Sequence, residues 1–249
     1  MAKKVFAKRP EEKNDPWVPK TEIGKLVQVG EITDIETIMC KGKIILESEI
    51  VDHLVPDLES DLLLIGQSKG KFGGGQRRAF RQTQKKTREG NVPKFTTVAV
   101  VGNKNGLIGV GRGCSKETVP TREKAIRNAK RSLIRIARGY AGPDLIQGAP
   151  HTIPFEVKGK CGSCTVVLRP APRGTGLVVE KELAKVLKLA GIKDVYSKSF
   201  GKSKTRVNNI KACFEALKEL TNVKVKESDI ERLGIVYGKI GQSQEESDD

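Results

Sequence analysis

The residues best placed to do chemistry lie between Lys69 and Lys94. Nine cations (Lys69, Lys71, Arg77, Arg78, Arg81, Lys85, Lys86, Arg88 and Lys94) stand there against one acid, Glu89, leaving +8 on 26 residues. Gly73, Gly74 and Gly75 interrupt the run, and without Cβ atoms the backbone can approach a surface closely. A merely solvated loop mixes its charges. A cationic segment of this kind fits phosphate neutralisation, with Arg able to fork onto phosphate oxygens.

A second positive surface is expected on a helix from Thr121 to Arg138. At ~100° per residue Ala125, Ala129, Leu133 and Ile136 share one face, and Lys124, Arg127, Arg131, Arg135 and Arg138 share another. Arg112, Lys116 and Arg122 lie just before and within this stretch and join the candidate RNA contacts.

Other motifs carry less. The glycines of Gly106-Leu-Ile-Gly109-Val-Gly111-Arg-Gly113 alternate with other residues as in a strand, and no Gly-Lys-Ser/Thr follows, so neither a dinucleotide-binding loop nor a Walker loop is expected. Cys161 and Cys164 form one Cys-x-x-Cys. Structural zinc needs four ligands, and His151, Cys40, Cys114 and Cys213 do not form a second such pair, so neither metal nor cofactor is expected. His53 and His151 stand beside no nucleophile motif.

The whole chain of 249 residues carries 46 Lys and Arg against 30 Asp and Glu, a formal net charge of +16, which calls for a polyanionic partner. No long apolar span or lipidation signal accompanies it, and the charged start is not a signal peptide. Five irregularly placed cysteines suit a reducing compartment, so a cytoplasmic protein is expected, with no membrane partner. Aromatic residues make up 4% of the chain, which favours contacts to phosphates and folded RNA shape over base stacking.

The elements that must position these residues read as α+β. Residues 1–30 are expected as an extended arm packing through Trp17, and residues 31–61 as acidic and helical. Strands follow at Asp61–Gly66, Phe95–Gly102 and Gly106–Gly113, with Asn103-Lys-Asn-Gly106 as a hairpin turn. These and the basic helix make a first domain of residues 31–140. A second domain, 150–222, is expected as ββαβα. It comprises a hairpin of Thr152–Lys158 and Ser163–Arg169, helices Glu180–Ala190 and Thr205–Leu220, and a strand Asp194–Ser199 between them. Residues 223–249 form an extension with an acidic tail.

With these residues in view, the chain resembles the universal small-subunit ribosomal protein five family in its archaeal and eukaryotic style. The likeness runs through Gly75-Gln-Arg-Arg-Ala-Phe80, the stretch from Thr97 to Gly113, and Val119-Pro-Thr-Arg-Glu-Lys-Ala-Ile126. It continues through Leu168-Arg-Pro-Ala-Pro-Arg-Gly-Thr-Gly176, Ala190-Gly-Ile-Lys-Asp-Val195 and Ser199-Phe-Gly201. Cys164 stands where members usually carry an apolar residue, so it looks like a strand residue.

The resemblance implies a double-stranded-RNA-binding-like α-βββ-α first domain and a second domain of the type named after the family, with a left-handed βαβ crossover. It implies small-subunit rRNA as partner, mRNA nearby at the entry channel, and small-subunit proteins three, four and eight as neighbours. A role in assembly and decoding accuracy, without enzyme activity or homo-oligomers, goes with it. A free-standing regulator that binds double-stranded RNA and an enzyme built on the Cys161 and Cys164 dithiol are the alternatives. Absence from ribosomal fractions would favour the first, and loss of function on replacing both cysteines the second.

Overall fold

A computed structural model describes residues 17–68, 70, 75–142 and 148–238. Lys69, Lys71, Gly73 and Gly74, the first sixteen residues and the acidic tail expected from the sequence lie outside the described residues.

The supposed arm contains a helix. Helix α1 spans Glu22–Val29: the Thr21 hydroxyl accepts from the Gly24 amide (3.2 Å) at its start, and Gly30 ends it in the left-handed region at φ 87°. Trp17 does anchor this end. Its indole donates to Glu47 Oε2 (2.9 Å) and its ring lies 5.0 Å from that of His53. Partial burial pushes the Glu47 carboxyl up, but the Thr21 and Lys20 amides and the indole outweigh it and hold it below the usual carboxylate range. The acidic stretch is two short helices, α2 (Ile35–Cys40) and α3 (Ser48–Leu54). Gly42, at φ 65°, breaks what the sequence suggested as one helical region.

Five strands make the first sheet: β1 (Glu59–Leu62), β2 (Arg81–Thr87), β3 (Gly90–Gly102), β4 (Leu107–Ser115) and β5 (Leu133–Arg135). Strand β3 is the spine, with β4 along one edge and β1 and β2 end to end along the other. Helix α4 (Thr118–Arg131) covers one face. Three alternating glycines allow this. A Cβ on Gly109, Gly111 or Gly113 would lie 2.2, 2.1 and 2.1 Å from the α4 backbone at Ala129 O, Ala129 N and Thr121 O.

The basic helix therefore ends seven residues earlier than its periodicity suggests. Ser132 closes it, its hydroxyl donating to Val110 O (2.8 Å), and β5 then pairs with the free edge of β4. Leu133 and Ile134 point to opposite faces and join different cores, as a strand requires. Pairing with an open sheet edge outweighs helix propensity here. Arg135 and Arg138 thus leave the helical array. Arg138 sits in β6 (Ala137–Arg138), buried, and donates to Gly238 O (3.0 Å).

In the second unit, β7 (Val157–Cys161) and β8 (Cys164–Pro170) form the hairpin, turning at Gly162-Ser163 and not at 159–162 as the sequence suggested. Gly159 is needed inside the strand, where a Cβ would lie 2.0 Å from Ala212 O of helix α6 (Arg206–Asn222). Thr152, expected to start the hairpin, bridges Gly139 instead. Strand β9 (Leu177–Val178) was not foreseen. It lies parallel to β10 (Val195–Phe200), and helix α5 (Lys181–Ala190) connects the two. The order is β7-β8-β10-β9. Helix α7 (Glu227–Leu233) and β11 (Val236–Tyr237) return to the first unit, β11 pairing with β6.

The units share a core: Val98, Val100 and Ile108 of the first sheet pack in one cluster with Val166, Leu168, Leu183 and Leu187. The β3–β4 turn also closes helix α5, for the Lys104 and Gly106 amides donate to the otherwise unpaired carbonyls of Leu189 (2.9 Å) and Ala190 (3.2 Å).

A clasp holds the chain just past β1. The Leu64 amide donates to buried Glu182 Oε2 (2.7 Å), and its carbonyl accepts from Arg206 (3.1 Å). This is why β1 stops at Leu62 and does not run to Gly66: both polar groups of Leu64 are taken by the second unit and not by β3. Replacing Glu182 with Ala strips the Leu64 amide of its partner and Arg206 of a counter-ion. Expected is a loss of about 2–4 kcal/mol in stability, read as a lower denaturant midpoint with unchanged slope.

Candidate nucleic-acid interface

The long basic connection expected from the sequence is in part a hairpin. Strands β2 and β3 pair from Arg81↔Thr96 to Thr87↔Gly90, with Arg88-Glu89 as the turn. Every residue of β2 is exposed. Alternation and register place Arg81 and Lys85 on one face, joined by Lys94 opposite Thr83 and, across the next strand, by Arg112 opposite Val98. Lys86 lies on the other face and Arg88 at the tip.

The beginning of the connection is zipped to its end. The Gly66 amide donates to Arg78 O (2.8 Å), the Arg78 amide to Gln67 O (3.2 Å), and Ser68 bridges Arg77. Arg77 is half-buried and Arg78 exposed beside it. This closure needs glycine: a Cβ on Gly66 would stand 2.3 Å from Phe80 O and 2.8 Å from Arg78 O. Gly66→Ala is expected to force the zipper open and to reduce RNA affinity about tenfold while the three arginines remain. Filter binding with small-subunit rRNA checks it, and unaltered affinity would show that the zipper does not set arginine position.

On α4, Lys124, Arg127 and Arg131 remain exposed and fall within an arc of about 60°. Arg122 is exposed on the other shoulder and Lys116 in the turn before the helix. Several other cations are paired with acids. Lys130 pairs with Asp52, Lys104 with Glu59, Lys185 with Asp61 and Arg206 with Glu180 and Glu182. Among the described residues none of Arg77, Arg78, Arg81, Lys85, Lys86, Arg88, Lys94, Arg112, Lys116, Arg122, Lys124, Arg127 or Arg131 has an ion-pair partner.

The first-unit match of a known family coincides with this surface. The model described as ribosomal protein S5, N-terminal domain, matches residues 77–137, and that of the ribosomal protein S5, C-terminal domain, matches residues 159–232. Small ribosomal subunit protein uS5 of Nanoarchaeum equitans is 45% identical over 226 residues, covering 91% of this chain and 97% of that protein. The proteins of the same name from Methanobrevibacter smithii and Methanocaldococcus jannaschii are each 44% identical, over 90% and 91% of this chain and 98% and 97% of theirs. The chain belongs to the ribosomal protein S5 family.

Two features of this surface escaped prediction from the sequence. Lys204 and Arg206, at the start of α6, lie beside the Arg77–Arg81 segment and line one cleft with it. The signal was present as Lys202-Ser-Lys204-Thr-Arg206, but nothing local tied it to a segment more than a hundred residues earlier. The hairpin was missed because β2 is polar on both faces.

The cysteines form no centre. Cys161 and Cys164 face each other across the β7–β8 turn as free thiols, and Cys164 Sγ lies 3.0 Å from Lys202 O. Among the described residues no group of three or more potential ligands assembles. His151 is buried, and burial holds its imidazole below the ordinary histidine range. No helix among the described residues is long and apolar enough to cross a membrane.

Proposed function

We infer that this chain is a structural constituent of the small ribosomal subunit that binds rRNA and acts without catalysis of its own. One observation carries the reading: the cations of the β2–β3 hairpin, together with Lys124, Arg127 and Arg131 of α4, are exposed and have no ion-pair partner among the described residues. Such a surface is completed by phosphates. The relatives' shared name, small ribosomal subunit protein uS5, supports rRNA as that polyanion.

The finer parts of the reading follow from the family. The first unit is taken as double-stranded-RNA-binding-like, the second as the ββαβα domain of the family, with the divide between residues 140 and 150. Position near the mRNA entry channel, beside small-subunit proteins three, four and eight, and support of assembly and accuracy belong to the same proposal, as does a cytoplasmic location. Sedimentation of cell extract tests it. The chain should travel with the small subunit and leave it only at high salt, whereas a chain confined to the top of the gradient would overturn it.

A further inference from the structure

A cleft of about 560 Å³ opens between the start of β2 and the start of α6. Arg77, Arg78 and Arg81 come to it from the first unit and Lys204 from the second. Arg206 also lines it but is held by Glu180, Glu182 and the Leu64 carbonyl, so it acts as wall and not as a free cation. No acidic side chain lines the cleft among the described residues.

Cations alone would suit any phosphate, and a duplex backbone needs only an open surface. This cleft has further equipment: Gln82 and Asn208 line it, and so do Phe80, Ile65 and Val207. Amides pair with base edges, rings and aliphatic groups accept a base face, and cations take the flanking phosphates. The volume lies in the range of about 300–1,000 Å³ typical of sites for single small molecules, too small for a helix.

We propose that this cleft receives one unstacked nucleotide of single-stranded rRNA, with its base against Phe80 and the amides and its phosphates toward Arg77, Arg81 and Lys204. The idea rests on the rRNA-binding reading and adds that the second unit takes part in it. A nucleotide held between the units ties β2 to α6, which the shared core alone does not do at this end.

The test uses small subunits assembled with chains carrying p-benzoylphenylalanine in place of Asn208 or, in a second preparation, of Lys124. Irradiation should link position 208 to a single nucleotide unpaired in the rRNA. A link from 124 and none from 208 would sink the cleft proposal and leave the rRNA surface standing, and links from neither would sink both. A link from 208 to base-paired nucleotides, to protein, or to a free mononucleotide with rRNA unmodified would also overturn the proposal. Lys204→Ala guards against misfolding, since Lys204 is exposed and in no ion pair among the described residues. In subunits carrying it, that one nucleotide should become about fivefold more reactive to base-specific probes, and an unchanged probing pattern would contradict the idea.

Discussion

Changing Arg77, Arg78 and Arg81 together to Ala is expected to weaken binding to small-subunit rRNA about a hundredfold or more at moderate salt, taking about 1 kcal/mol per phosphate contact. The salt dependence should flatten as well, by about one unit of slope for each phosphate no longer neutralised. None of the three side chains pairs with an acid among the described residues, so their removal costs the fold little. The matched control is Lys25, Lys41 and Lys43 changed to Ala, three exposed cations near α1 and α2. It lowers net charge equally, and its slope should stay close to that of the parent chain. If both triples flatten the slope alike, the effect is one of overall charge and not of direct binding at the zipped connection.

The second large effect concerns the support of this surface. Gly111→Val would place side-chain atoms where α4 runs, since a Cβ there already lies 2.1 Å from Ala129 N and 2.4 Å from Ala125 O. Both are backbone atoms of a helix seated on the sheet and cannot turn aside. Expected is a destabilisation of about 3–5 kcal/mol or failure to fold, seen as a fall of at least about 6 °C in Tm. Gly142→Ala is the control: a Cβ there meets nothing within 4 Å, and Gly142 is not among the glycines at positive φ. A Gly111 variant that melted with the parent would mean that α4 does not rest on the glycine row.

The glycine row shows what could be read from sequence and what could not. Alternation from Gly106 to Gly113 pointed to a strand, and β4 lies there. That the glycines exist to admit a helix backbone depends on Thr121, Ala125 and Ala129 arriving opposite them, which is a tertiary fact. The helix beginning near Thr121 was legible from its small and apolar face, but its end was not. Leu133 and Ile136 satisfy a helical period and also suit a strand, and only the free edge of β4 decides between them.

The second unit was the more legible. Leu183, Val186, Leu187 and Ala190 recur at helical spacing and Gly191 stops the helix at φ 84°, so α5 stands where the pattern placed it. The two-residue strands β9 and β11 carry too few residues for any period to show, and each is defined by its partner, β10 and β6.

For the candidate interface, charge was legible and pairing was not. Arg138 and Lys124 look alike in sequence, yet one is buried against Gly238 and the other faces solvent. Glu182 is likewise one acid among thirty until Leu64 comes against it.

The most direct measurement is the chemical reactivity of lysines in intact small subunits compared with the free chain, read by mass spectrometry. Lys85, Lys86, Lys94, Lys116 and Lys124 should be reactive in the free chain, shielded in the subunit, and exposed again when the rRNA is digested. Lysines that react in the subunit as readily as in the free protein would contradict the claim that RNA covers these surfaces.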